Sequence, residues 1–158
     1  MAYYSFLPVP LHCPACGTVV DDLVWFQWGF TANQSPMPAW TYAIGEAIRW
    51  HACSDGRILP WTYFRRGGQP TGANLGTPDE LNVIVRDEAQ MQHHRPCGTC
   101  GTPLAGAAVE IRNGRVARGW LVRAGELPEP SSVLRVAADG TLEVLFADEH
   151  RMDVVEDC

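Results

Sequence analysis

The sequence contains no lysine; all twelve of its basic residues are arginine, most simply a codon bias. It has no apolar run near the ~18 residues that a membrane-spanning helix needs, so no membrane association is expected. It has no low-complexity tract. It carries no Gly-rich phosphate loop, no Gly-x-Ser-x-Gly elbow and no His-Glu-x-x-His. Nothing positive therefore supports an enzyme, and the chain is expected not to be one. The first residues, Met1-Ala2-Tyr3-Tyr4-Ser5-Phe6-Leu7-Pro8, lack a basic region followed by a long apolar one. A cytoplasmic protein is expected on that ground.

What is present is a foldable composition. Of 158 residues, 46% are apolar and 19% charged, which excludes an intrinsically disordered chain and fits one domain. The formal net charge is −6. It is uneven: the acidic excess lies after residue 120, where nine acids face three arginines. Such a segment argues against non-specific nucleic-acid binding and favours a basic partner. Six tryptophans supply large side chains for a core or a contact surface.

The strongest signal is in the cysteines. Of six, four form two pairs with two-residue gaps: His12-Cys13-Pro14-Ala15-Cys16-Gly17 and Pro96-Cys97-Gly98-Thr99-Cys100-Gly101. A tight turn at this spacing puts two sulfurs on one side, about a tetrahedron edge apart. Backbone N–H groups then point at the first sulfur, and the glycine after the second takes positive φ without a steric penalty. Two such knuckles facing each other make a four-cysteine zinc site through Cys13, Cys16, Cys97 and Cys100. A cytosolic chain is expected to be free of disulfides. No βαβ pattern surrounds Cys-Gly-Thr-Cys to suggest a thioredoxin-like redox pair.

This pattern resembles a zinc ribbon and, in its knuckles, a rubredoxin. The resemblance covers residues 11–30 and 92–125, where each cysteine pair is followed by β-strands. It implies that the same four cysteines are ligands of Zn2+, or of iron in an electron carrier of rubredoxin type. Eighty residues separate Cys16 from Cys97, so a β-rich segment, 31–91, is inserted into the ribbon. The whole chain looks like small bacterial zinc-ribbon proteins through Asp21-Asp22, Phe26-Gln27-Trp28-Gly29 and Tyr42-Ala43-Ile44-Gly45-Glu46. That resemblance implies organisation and no activity.

The rest of the chain reads as strands. Leu23 to Phe30 alternates, with Val24, Phe26 and Trp28 on one face. Trp40 to Trp50 predicts two short strands around Gly45, and Ser54-Asp55-Gly56-Arg57 a turn before a strand over 58–64. The Gly- and Pro-rich run 67–78 predicts a mobile loop. Thr77-Pro78-Asp79-Glu80 has the form of a helix cap, but β-branched Val83-Ile84-Val85 favours a strand. Asn113-Gly114 predicts a type I′ hairpin and Asp139-Gly140 a second one, in a C-terminal acidic unit 126–158. The expected architecture is a single, mainly β domain: antiparallel hairpins around a four-cysteine zinc ribbon with an inserted β-rich segment.

Other constellations are weaker. His51 and Cys53 share a strand face, yet no third group orients them as a nucleophile and base. With four cysteines present, His12, His93 and His94 are not needed as ligands. Arg112, Arg115, Arg118 and Arg123 line the first C-terminal hairpin, where zinc ribbons can touch phosphate, but the net charge opposes nucleic acid. Cys158 is expected to be structurally silent. The reading that remains is a non-enzymatic protein-binding module of a bacterial cytosol. One version is an immunity-type inhibitor of a basic toxin. Its contact residues are expected among Trp25, Trp40, Trp50, Trp61, Asp148 and Glu149.

Overall fold

Short runs of β-branched and aromatic residues, separated by Gly turns, set the architecture. The computed structural model describes residues 5–26, 40–50, 53, 55–59, 62–66, 69–74, 82–87, 95–129, 133–146 and 155–156. The strands are β1 (Ser5–Leu7), β2 (Leu11–His12), β3 (Val19–Asp21), β4 (Val24–Phe26), β5 (Thr62–Arg66), β6 (Gln69–Asn74), β7 (Val83–Asp87), β8 (Leu104–Arg112), β9 (Arg115–Arg123), β10 (Val133–Val136), β11 (Leu142–Phe146) and β12 (Val155–Glu156). The described residues contain no helix, so the mainly β expectation is met. The central sheet has the order β11-β10-β7-β8-β9, all antiparallel. A three-stranded sheet has the order β12-β5-β6, and β1-β4 and β2-β3 form two small ribbons.

Turn chemistry fixes the registers. Asn113 (φ 50°) and Gly114 (φ 70°) both take left-handed backbone, as a type I′ turn between β8 and β9 demands. The β10–β11 connection is longer. Gly140 N–H donates to Ala137 O at 2.9 Å, and Gly140 then turns at φ 85°. This is a type I turn followed by a left-handed residue. The strand reading of Val83-Ile84-Val85 holds in β7. The helix cap at 77–80 lies outside the described residues.

Both faces of the central sheet are covered. Val133, Val85 and Val109 line up across three strands and are fully buried, and Gly119 completes the row on β9. That face packs on Leu7, Val24, Phe26 and Tyr42. A Cβ at Gly119 would lie 3.0 Å from Leu7 Cδ2 and 3.1 Å from Val24 Cγ2, so glycine is what lets the β1–β4 ribbon come down on the sheet. On the opposite face Ile84, Ala108, Val122, Leu127 and Leu134 form a second cluster. Arg86 crosses there. Its buried guanidinium donates to Ala105 O at 2.8 Å and to Glu129 Oε1 at 3.1 Å, tying the 124–129 turn over the sheet. Burial on both sides is why β8 is apolar at nearly every position rather than alternating.

Three expectations change. The run 67–78 is not a loop throughout: Gln69–Asn74 is β6, paired with β5. Its Gly and Pro content suggests irregular backbone, but β6 lies at a sheet edge, where Pro70 removes no essential ladder bond, and Pro70 sits next to a register shift. Trp40 to Trp50 forms single bridges, Thr41 with Phe6 and Ala47 with Arg115, rather than two strands; they flank the turn at Gly45 (φ 87°) as expected. Finally, the chain is not free of disulfides, because Cys53 is disulfide-bonded. Compartment is a weak guide to a cysteine held by its local fold.

Candidate metal centre

The two knuckles are near copies of each other. The first lies between β2 and β3, the second just before β8. In each, the first cysteine N–H donates to a threonine carbonyl five residues on: Cys13 to Thr18 at 2.8 Å and Cys97 to Thr102 at 2.9 Å. In each, the glycine N–H returns to the first cysteine carbonyl, Gly17 to Cys13 at 2.9 Å and Gly101 to Cys97 at 2.8 Å, and both glycines sit at φ 75°. Both sequences in fact read Cys-x-x-Cys-Gly-Thr. The shared threonine is a signal that reading the cysteine spacing alone misses. Its hydroxyl meets the second sulfur, Cys16 with Thr18 at 3.3 Å and Cys100 with Thr102 at 3.1 Å.

The four sulfurs converge. Cys13 and Cys100 Sγ are 3.7 Å apart, as are Cys16 and Cys97 Sγ, and all four lie within 4.8 Å of one another. A tetrahedral zinc with Zn–S of ~2.3 Å has an S–S edge of about 3.8 Å. The donor set thus fits one thiolate-loving cation, and every expected ligand is present. Cys13 and Cys97 are buried and Cys16 and Cys100 exposed, so the centre has one edge toward water. His12 lies outside the donor set, its ring Nδ1 3.1 Å from Gly17 O. Arg123 docks the first knuckle to the end of β9, donating from Nη2 to Pro14 O at 2.9 Å. No sequence signal marks that long-range link.

Electrostatics prepare the thiols unequally. Hydrogen bonds from the Thr102 hydroxyl and backbone N–H bring Cys100 down to about 6. The N–H groups of Cys100 and Thr99 hold Cys97 below the usual thiol range. For Cys13 the N–H groups of Cys16 and Ala15 pull the same way, but burial and the neighbouring sulfurs of Cys100 and Cys97 outweigh them and push it up. Four negative sulfurs at this separation repel, so one holds its proton until a cation balances the charge.

The other candidate residues are dispersed. Trp25 stacks edge-on against Phe6, ring centroids 5.1 Å apart. Trp40 packs partly buried on the core, donates to Glu46 Oε1 at 2.9 Å and carries the Arg49 guanidinium 3.2 Å above its ring. Trp50 also packs partly buried on the core. Trp61, Asp148, Glu149 and His51 lie outside the described residues. Arg112 and Arg118 both bind the Glu110 carboxylate, at 2.9 and 2.7 Å, and Arg115 donates to Gly45 O at 3.0 Å. Comparison of the chain with protein-family models, with curated proteins and with solved structures finds no match. No helix among the described residues is long and apolar enough to cross a membrane.

Proposed function

We propose that this chain is a non-enzymatic protein-binding module whose fold is stapled by one structural zinc. The observation that carries the zinc reading is the convergence of four cysteine sulfurs from two equivalent, preorganised turns. Four protein thiolates close a tetrahedral coordination sphere and leave no position for a substrate, the mark of a structural site. The centre joins the β2–β3 ribbon to the strand that opens the central hairpin, so metal binding and folding are one process.

Binding of a basic protein is supported by the acidic excess after residue 120 and by exposed apolar side chains such as Val19, Val20 and Ile44. An immunity-type inhibitor of a basic toxin is one concrete form of this reading. The arginine hairpin gives less support to nucleic acid, because Glu110 engages both Arg112 and Arg118 and offsets one of their two charges. A rubredoxin-like iron carrier is the second reading, favoured by the exposed Cys16 and Cys100 edge. Metal analysis with a visible spectrum separates the two: a colourless protein with one zinc per chain is expected, and a red protein with thiolate-to-iron absorption from zinc-replete cells would replace zinc by iron. Capture from the native host tests the partner. A basic protein is expected, bound more slowly at low salt after charge reversal of Asp148, Glu149, Asp153, Glu156 and Asp157. Recovery of nucleic acid alone would end the protein-binding reading.

A further inference from the structure

Each exposed sulfur of the metal centre meets a buried one from the other knuckle. Cys16 Sγ lies 3.7 Å from Cys97 Sγ, and Cys100 Sγ lies 3.7 Å from Cys13 Sγ. Cys16 and Cys100 are exposed, Cys13 and Cys97 buried. Building on the structural-zinc reading above, we infer that the centre is a redox modification site: hydrogen peroxide joins each exposed sulfur to the buried one opposite, and two disulfides between the knuckles take over the staple. Cys53 is already disulfide-bonded and takes no part. Cys158 lies outside the described residues.

The arrangement separates an attacking sulfur from a resolving one. An oxidant arriving from water reaches an exposed thiolate first, and a second sulfur in contact with it resolves the product. Cys13 and Cys97 belong to the core cluster and are pinned there, so the exposed sulfurs move to them. Closing each pair from 3.7 Å to a bond of about 2.05 Å asks for a shift of about 1.7 Å. The knuckles are also held face to face by contacts that involve no sulfur. Arg123 at the end of β9 donates to Pro14 O at 2.9 Å, and Leu11 of β2 is fully buried in the same core cluster. Disulfides within a knuckle, Cys13 with Cys16 and Cys97 with Cys100, would untie the β2–β3 ribbon from the start of β8. Disulfides between knuckles keep that tie.

One peroxide makes one disulfide. The Cys16 thiolate attacks a peroxide oxygen: the S–O bond forms, the O–O bond breaks, and the leaving hydroxide takes a proton to become water. The Cys97 thiolate then attacks the sulfenic sulfur of Cys16: the S–S bond forms, the S–O bond breaks, and a second hydroxide leaves as water. The two sulfurs lose two electrons and the peroxide gains them. A second peroxide joins Cys100 to Cys13 in the same way. No thiolate is then left to hold a cation, and the negative charge of the sulfurs is gone, while residues 13–16 and 97–100 stay tied. Two low-molecular-weight thiols per disulfide reverse the change.

The test uses the full chain, its metal content measured first, treated with two equivalents of hydrogen peroxide. Zinc release is followed with a chromophoric chelator against an untreated control. The protein is then alkylated and digested without reductant, and linked peptides are fragmented to assign each sulfur. Links from Cys16 to Cys97 and from Cys13 to Cys100 are expected, with the zinc released and the strand signal in far-UV circular dichroism retained. Excess thiol and zinc should then restore one zinc per chain. Any other pairing of these four cysteines overturns the proposal, as do sulfinic acids without disulfides, zinc retained after peroxide, or loss of the strand signal. Metal content before oxidation is read separately, so failure here and failure of the structural-zinc reading are distinguishable.

Discussion

The sulfurs of Cys16 and Cys97 lie 3.7 Å apart across 81 positions of sequence. Few links in the molecule span so much chain, and this one joins segments that carry little secondary structure of their own. Structural zinc contributes on the order of 10 kcal/mol to folding in small peptides, against a net domain stability of about 5–15 kcal/mol. Cys97→Ser is therefore expected to be insoluble or to melt far below the parent, with bound zinc well under one per chain. Metal analysis and thermal unfolding check this. A variant that melts within a few degrees of the parent would make the site peripheral.

The threonine of each knuckle gives a pH prediction. Metal binding needs thiolates, so protons compete with the cation. Cys100, lowered to about 6 chiefly by Thr102, is already ionised at neutral pH and pays no protonation penalty there. Removing the Thr102 hydroxyl lets its pKa rise, so protons compete from a higher pH downward. Thr102→Val should release zinc at a higher pH than the parent, while the fold at pH 8 is retained. A chelator-coupled pH titration measures the midpoint; an unmoved midpoint would remove Thr102 from the centre's chemistry.

The four-cysteine cluster is the most legible part of the chain because its signal is local. A cysteine pair with a following glycine specifies a turn whatever surrounds it, and Asn113-Gly114 specifies a hairpin in the same way. What could not be read was pairing between distant segments. Nothing in Val83-Ile84-Val85 says that β10 will lie on one side and β8 on the other. The 69–74 strand was hidden by Gly72 and Pro70, residues that weaken a central strand but not an edge one. The disulfide of Cys53 has no local sequence signal, and the argument from compartment points away from it. The sequence gives Arg86 no role and Arg123 only a place on an arginine-lined hairpin, although each fixes a tertiary contact through a backbone carbonyl.

Gly119 tests the packing of the β1–β4 ribbon. Leu7, Val9 and Val24 all reach within 3.0–3.2 Å of where its Cβ would stand. Alanine asks these side-chain ends to give by a few tenths of an ångström. Valine adds two more carbons beside a Cβ that is already too close to its neighbours. Overpacking of this kind costs about 1–3 kcal/mol. Gly119→Val should lower the urea midpoint accordingly, with Gly119→Ala in between. If valine is neutral, the ribbon and sheet are not in the contact described.

Glu110 gives the last prediction. Its side chain is 11% exposed on the β8–β9 hairpin, between Arg112 and Arg118, whose own side chains are more than half exposed. Burial alone raises its pKa, but the hydrogen bonds and charges of the two arginines outweigh that, and the net shift is downward. A carboxyl whose folded pKa lies below its unfolded value contributes stability above the unfolded pKa, near 4.5, and loses it as pH falls through the folded one. Water screens the arginines, so the expected contribution is modest, about 1 kcal/mol. Glu110→Gln keeps the shape and one oxygen acceptor but removes the charge. It should be less stable than the parent at pH 7 by about that amount, and the difference should shrink below pH 4 as the parent's carboxylate takes up its proton. Urea unfolding at pH 7 and pH 3.5 measures both values. A difference that is the same at the two pH values would mean that packing, and not the charge of Glu110, holds this end of the hairpin.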